Sequence, residues 1–414
     1  MDLSAARRIV IAGGGQAAAQ AVQSLRQWGY DGALTLIGNE PAPPYQRPPL
    51  SKAFLKGEFP EERLYFKPAA WYADQGCELM LGTSVTAIDR VGRRVHLDAQ
   101  GEIAYDALIL ATGSHPRRLP VPGADLAGVH EIRTLMDIER LQPAMIAGRR
   151  MVIVGAGYIG LEVAAVARQM GLEVTVLEMA DRVLARVTSP LMSDFYAEVH
   201  RREGVDLRTR TSLESLTGAD GAVTGVVLGE GETLSADLVV LGIGILPNQA
   251  LAEAAGLACG NGILVDEDAR TNDPRIFAAG DCASRPLIHY GRRGRLESVH
   301  NAIEQGKLAA AAILGRARPA VDVPWFWSDQ YDLKLQIAGL SEGYDEIVVR
   351  GDPADRKFAA FYLRNGRLIA VDAVNAAPEF LGSKKLIQAG ASLAPARLAD
   401  MSVSMKDIAA AAAA

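Results

Sequence analysis

Short, wholly apolar runs bounded by glycine recur along this chain, and they read as strands buried on both faces of a parallel sheet. The first, 8–12, runs into Gly13-Gly14-Gly15-Gln16-Ala17-Ala18 and then a helical pattern to about 29, with a second strand at 34–38. The same order returns 142 residues later, with a strand at 151–154, the turn Gly155-Ala156-Gly157-Tyr158-Ile159-Gly160, a helix at 163–170 and a strand at 174–178. Two further apolar strands end in small residues, 107–113 at Ala111-Thr112-Gly113 and 237–244 at Gly242-Ile243-Gly244. Another, 276–279, ends in Gly280-Asp281. From about residue 325 the pattern changes to strands at 333–339, 346–350, 358–363 and 368–374, with helical segments after Pro378. The alanine tail at 409–414 is expected to fray. The pattern predicts an α/β protein with two Rossmann-like dinucleotide-binding domains and a C-terminal α+β domain.

A strand, glycine turn and helix in this order has a physical purpose. The first glycine permits the tight bend, the second lets backbone approach a pyrophosphate, and the third lets helix pack on strand. The helix N-terminus then faces the anion. In the first copy these positions are Gly13, Gly15 and Ala18; in the second they are Gly155, Gly157 and Gly160, with Tyr158 and Ile159 opening the helix. Glu178, 23 residues after Gly155, can accept hydrogen bonds from a free ribose 2′-hydroxyl and repels a 2′-phosphate, which favours NADH over NADPH. The corresponding place in the first copy is occupied by Asn39 or Glu40.

Composition narrows the functional classes. The 414 residues carry a formal charge of −6, which gives no support to nucleic-acid binding. No apolar run is long enough to span a bilayer, and 1–8 lacks the apolar stretch of a signal peptide. The three cysteines, Cys77, Cys259 and Cys282, form no CxxC pair, so neither a disulfide framework nor a zinc site is expected and no metal is called for. A cytoplasmic location follows as the expectation.

Four segments carry a more specific resemblance. They are Pro44-Tyr45-Gln46-Arg47-Pro48-Pro49-Leu50-Ser51-Lys52, Ala111-Thr112-Gly113, the run from Thr271 through Pro274 to Gly280-Asp281, and Pro324-Trp325-Phe326-Trp327-Ser328-Asp329-Gln330-Tyr331. Together, over nearly the whole chain, they resemble the FAD-dependent NADH:ferredoxin reductases of bacterial oxygenase systems, the putidaredoxin reductase-like and aromatic-dioxygenase reductase family. The resemblance implies a glutathione reductase-like architecture. It places a discontinuous FAD domain at 1–118 and 245–324, an NAD domain at 119–244, and the α+β domain at 325–414. It also implies that Ala17 and Asn39 contact the FAD pyrophosphate and ribose, and that Val85 contacts the adenine end. Arg47, Lys52 and Arg133 would line the phosphate and the ring, Asp281 would hold ribitol or pyrophosphate, and Val299 and Trp327 would close around the isoalloxazine. Lys52 and Glu162 would pair beside flavin N5, where hydride arrives, as the catalytic constellation.

Absent residues sharpen the reading. Thiol reductases of similar architecture need a redox cysteine pair by the flavin, and peroxidases or coenzyme A disulfide reductases need a lone cysteine soon after the second strand. Here that stretch is Pro41-Ala42-Pro43-Pro44. Reducing equivalents would then leave from the flavin edge to a 2Fe–2S ferredoxin, docked transiently by charge. Arg292-Arg293-Gly294-Arg295 is the densest basic cluster, with Arg63, Arg316, Arg318, Lys334, Lys384 and Lys385 as further candidates; a solvated loop is the plainer reading of any such cluster. A monomer or weak dimer is expected. Two alternatives stand beside the ferredoxin reductase: an NADH oxidase or diaphorase without a protein partner, and a binding protein resembling apoptosis-inducing factor that responds to NADH.

Overall fold

The computed structural model describes residues 3–98 and 101–412, and their packing divides the chain into two units. The first comprises 1–46, 60–115 and 246–322; the second comprises 47–59, 116–245 and 323–414.

The first unit is built on a five-stranded sheet in the order Ile276–Ala278, Ala107–Leu110, Arg8–Ala12, Ala33–Gly38 and Cys77–Leu81, with every pair parallel. Ile9, Val10, Ile11 and Leu36 have no solvent exposure, as strands covered on both faces require. Helices Gln16–Gln27 and Val299–Ile313 pack together on one face. Gly306 permits their close approach, since a Cβ there would lie 2.7 Å from Ala17 O. The neighbours of Arg8–Ala12 continue the chain in opposite directions, so the order of strands reverses at its carboxyl end, where such sheets bind ligands.

The second unit repeats this plan with the parallel order Asp206–Arg208, Glu173–Leu177, Arg150–Val154, Leu238–Leu241 and Val129–Glu131, and the reversal falls at Arg150–Val154. Its helix spans Tyr158–Gln169, five residues earlier than the start at 163 read from the sequence. The turn residues Tyr158, Ile159 and Gly160 therefore form the first helical turn. Three-stranded antiparallel meanders, Val85–Asp89 with Arg94–Leu97 and Glu102–Ala104 in the first unit, and Leu213–Ala219 with Ala222–Leu228 and Thr233–Ser235 in the second, are inserted before the closing strands.

The C-terminal region forms an antiparallel sheet in the order Trp325–Gln330, Leu333–Gly339, Arg367–Val374, Lys357–Arg364 and Glu346–Asp352. Asn365-Gly366 turns its central hairpin with φ of 52° and 73°, the left-handed pair that matches strand twist. Helix Ala377–Ala389 covers it. The tail differs from expectation: 409–412 continue the helix Met405–Ala412, anchored by buried Met405 and Ile408, while 413 and 414 lie outside the described residues.

Packing groups the C-terminal sheet and segment 47–59 with 116–245. The cause is direct contact: the Trp325–Gln330 strand and the Pro48–Ser51 turn both lie against helix Tyr158–Gln169. Among the described residues, no helix is long and apolar enough to cross a membrane.

Candidate active site

In the first unit, Gly13 has φ +127°, and a Cβ on it would fall 2.0 Å from Ala111 O, so only glycine fits between the two strand ends. Gly15, at φ −99°, faces open space and N-caps helix Gln16–Gln27, which among the described residues has no side-chain cap and no acid in its first turn. The bare helix end and the open space beside Gly15 make a cradle for a pyrophosphate. Thr112 and Gly113 are fixed by Asn248: Thr112 Oγ1 donates to Asn248 O at 2.7 Å, Asn248 Nδ2 to Thr112 O at 2.7 Å, and Asn248 N to Gly113 O at 2.9 Å. Gly280 has φ +85°, a Cβ there would sit 3.2 Å from Ala17 Cβ, and its N–H donates to Gln305 Oε1 at 2.7 Å. Ser114 Oγ donates to Asp281 Oδ2 at 2.9 Å.

Gly13, Gly15, Ala17, Ala111, Thr112, Gly113, Gly280 and Asp281 are thus gathered at the carboxyl ends of adjacent strands. Val299 is the first residue of its helix, beside the N-cap Ser298. Asn301 Oδ1 and Gln305 Nε2, on that helix, are buried and find no partner among the described residues, as expected where a bound cofactor or water completes the set. These features fit FAD. Asn39 is exposed after the second strand, and Gly82 and Thr83 donate to Glu40 O and Gly38 O, which brings the chain leading to half-buried Val85 back to that loop.

The second unit holds the matching turn. A Cβ on Gly155 (φ +104°) would lie 2.5 Å from Gly242 O, and one on Gly160 would lie 2.1 Å from Gly155 O. Gly157 faces open space and caps a helix that, among the described residues, no side chain caps. Glu178 is held at this turn, its Oε2 accepting from Ala156 N at 2.8 Å and its Oε1 from Ala180 N at 2.9 Å. Ile159 is exposed, whereas the Tyr158 hydroxyl is buried, so only the backbone of Tyr158 is left to serve a nucleotide at the turn. Gly244, φ +97°, lies against the side chains of Arg186 and Arg117.

Arg47, Lys52, Arg133 and Trp327, which the resemblance assigns to FAD, all fall in this second unit. Arg47 Nη1 donates to Arg133 O at 2.5 Å, and Arg133 N donates to Asp137 Oδ2 at 3.0 Å beside the Thr134 capping box. Trp327 is half-buried, its ring centroid 5.5 Å from that of Trp325.

Lys52 Nζ reaches Glu162 Oε2 at 2.6 Å. Glu162 is also bonded by Ser51 Oγ (to Oε2, 2.5 Å) and by Ser328 Oγ (to Oε1, 2.6 Å). Burial pushes the Glu162 carboxyl above the ordinary carboxylate range, and Lys52, Ser328 and Ser51 pull it back. Behind Ser328 the bonds continue: Gln330 Nε2 to Ser328 Oγ at 3.1 Å, His200 Nε2 with Gln330 Oε1 at 2.8 Å, and Tyr331 OH with His200 Nδ1 at 3.2 Å. Burial lowers the His200 imidazole to about 4. The sequence signalled Lys52 and Glu162 but not Ser51, Ser328, Gln330, His200, Asn248 or Gln305; Ser51 and Ser328 lie inside the quoted segments without any local pattern to mark them.

Of the three thiols, Cys77 and Cys282 are buried and Cys259 is half-buried. Cys282 has no exposure and its Sγ lies 3.4 Å from Ala279 O and 3.5 Å from Leu110 O; burial raises its pKa, and pushes that of Cys77 up to about 12. In the basic cluster Arg292 and Arg293 are exposed and Arg295 is half-buried. Arg293 Nη1 donates to Val265 O and Ser284 O at 2.6 Å, and Arg295 pairs with Glu297 at 2.6 Å while donating to Asp281 O at 3.2 Å.

Known proteins are similar to this chain over most of its length. The family model described as pyridine nucleotide-disulphide oxidoreductase matches residues 7–306, and a reductase C-terminal model matches 325–409. A probable ferredoxin reductase from Castellaniella defragrans is 44% identical over 98% of this chain and all of its own length. Rhodocoxin reductase from Rhodococcus erythropolis is 45% identical, covering 96% of this chain and 93% of its own. Among solved structures, the covalent putidaredoxin reductase–putidaredoxin complex superposes with a TM-score of 0.97 at 44% identity, covering 99% of both chains.

Proposed function

The chain belongs to the pyridine nucleotide-disulphide oxidoreductase family, and on that premise we propose that it is an NADH-dependent flavoprotein reductase that delivers electrons to a 2Fe–2S ferredoxin serving a monooxygenase or dioxygenase. The observation that carries this reading is the pairing of Lys52 with buried Glu162 of helix Tyr158–Gln169, in a chain with two glycine-turn helices that, among the described residues, no side chain caps, and with three free cysteines. Bound FAD supplies acceptance of a hydride as an electron pair and release of the electrons singly.

The Gly13–Gly15 turn, Ala17, Thr112–Gly113, Gly280 and Asp281 are the residues that would hold FAD, with Asn39 and Val85 toward its adenosine end. Asp281 is an acid near a pyrophosphate, which is favourable only if it accepts from a hydroxyl; Ser114 fixes its carboxylate for that purpose. Gly155, Gly157, Gly160 and Glu178 would hold NADH, the Glu178 carboxylate selecting a free ribose hydroxyl. Lys52 stabilises negative charge that develops on hydride arrival, and Glu162 fixes the ammonium. Val299 would add to the flavin surroundings in this reading.

Ferredoxin as acceptor is supported by relatives named ferredoxin reductases over their full length and by a solved neighbour joined to putidaredoxin. Docking charge would come from exposed basic residues such as Arg292, Lys334 and Lys385. A reducing cytoplasm fits three free cysteines. NADH-driven reduction of a 2Fe–2S ferredoxin at low and high ionic strength tests the reading. It predicts rapid reduction that slows with salt; flavin reduction without electron delivery to any ferredoxin would replace it with the oxidase alternative.

A further inference from the structure

Glu162 is the end point of a buried hydrogen-bond chain whose direction is dictated by chemistry. A carboxylate only accepts, so the single Ser328 proton must point at Glu162 Oε1, 2.6 Å away. The Ser328 oxygen then only accepts, and Gln330 must present Nε2 to it, at 3.1 Å. That turns Gln330 Oε1 toward His200 Nε2 at 2.8 Å, so this nitrogen carries the ring proton. His200, kept neutral by burial, is left with Nδ1 as acceptor for the Tyr331 hydroxyl at 3.2 Å. The rotamer of one amide and the tautomer of one imidazole thus follow from the charge on Glu162. Each bond polarises the next in the same sense.

The chain is fully buried from Glu162 to His200: Ser328, Gln330 and His200 are each no more than 1% exposed. At its far end Tyr331 is held at φ +55°, a left-handed conformation that a bulky residue seldom takes without a structural reason. The titratable groups facing Glu162 are Lys52 and, less directly, Tyr158 and Tyr196; Glu203 and Arg168 act on Tyr331.

We infer that Ser328, Gln330 and His200 are positioning residues, a one-way relay that keeps the Glu162 carboxylate charged and correctly turned beside Lys52. This rests on the reading of the Lys52–Glu162 pair as the site of hydride chemistry. The relay also makes His200 a reporter of the state of Glu162 through two intervening side chains.

The test uses the FAD-loaded protein and two readouts. Nitrogen-15 NMR of the six imidazoles, with His200→Gln to assign the signal, is expected to give neutral His200 with its proton on Nε2. Ser328→Ala should mix the two tautomers, and Ser328→Thr should restore the wild-type ring. A proton on Nδ1 in the wild type, or an unchanged ring in Ser328→Ala, overturns the relay. In stopped-flow reduction by NADH, Ser328→Ala and Gln330→Met are expected to lower the limiting rate about tenfold at unchanged NADH affinity, the scale of one hydrogen bond to a charge. They should also move the acid limb of the pH profile, with Ser328→Thr again restoring it. Wild-type rates and pH profile in both variants, with Lys52→Met slow, overturn the positioning role while leaving the function of the pair intact. Wild-type rates in Lys52→Met instead overturn the reading of the pair and the positioning role with it, even where the His200 ring behaves as expected.

Discussion

Lys52 Nζ lies 2.6 Å from Glu162 Oε2, and of the two side chains only the lysine retains access to water, Glu162 being 1% exposed. The asymmetry has different consequences for the two partners. Removing Lys52 strands a buried carboxylate, whereas removing the charge on Glu162 leaves an ammonium that can rehydrate. Lys52→Met is therefore expected to cost about 3 kcal/mol of stability, and Glu162→Gln appreciably less. Both should slow flavin reduction by NADH by roughly a hundredfold, as loss of a preorganised charge does. Denaturant titration alongside anaerobic stopped-flow measures both; equal stability losses would contradict the asymmetry.

Gly15 and Gly157 separate folding from binding. Neither has positive φ, and a Cβ on either meets no protein atom within 4 Å. Gly15→Ala should fold normally but purify with little flavin. Gly157→Ala should keep its flavin and show an NADH KM raised about tenfold, because the methyl group intrudes on a ligand and not on the chain. Flavin content and steady-state kinetics decide; unaltered values in both variants would mean the turns do not approach nucleotides.

Glu178 is tied to the turn by Ala156 N and Ala180 N. Glu178→Ala should lower kcat/KM for NADH by about tenfold, equivalent to one charge-assisted hydrogen bond. It should leave the value for NADPH equal or higher, since the repulsion of a 2′-phosphate is gone. Parallel losses with both nucleotides would assign Glu178 a purely structural role.

Asp372, in the C-terminal sheet, accepts from Thr188 Oγ1 at 2.5 Å and Tyr362 OH at 2.7 Å, and burial pushes its carboxyl up to about 6. The folded state therefore binds more protons than the unfolded chain between about pH 4 and the folded value, so this group's contribution to stability falls as pH rises through that window and is level above it. Asp372→Asn removes the slope: measured against wild type, the variant should gain on the order of 2–3 kcal/mol between about pH 4 and about pH 7. Denaturation midpoints at the two pH values check this, and a difference independent of pH would contradict it.

What the sequence disclosed was local. Each glycine turn carries its own strand, bend and helix within a single stretch of chain, and Glu178 follows from spacing along that stretch. Lys52 and Glu162, 110 positions apart, were joined only by resemblance. Ser328, Gln330 and His200 were silent because a polar residue facing into a strand–helix contact looks, in one dimension, like one facing water. For the same reason the packing of segment 47–59 against helix Tyr158–Gln169, far along the chain, could not be read from the sequence. Arg293 stood in the sequence as a docking candidate or a solvated loop residue, and its guanidinium also donates to the carbonyls of Val265 and Ser284 that the fold brings to it.

The most direct test of the account is anaerobic mixing of the flavin-loaded protein with NADH and, separately, with NADPH, followed by addition of an oxidised 2Fe–2S ferredoxin. The account predicts fast bleaching by NADH, slow or no bleaching by NADPH, and return of the oxidised flavin spectrum as the ferredoxin is reduced. Equal bleaching by the two nucleotides, or a reduced flavin that the ferredoxin leaves untouched, would contradict it.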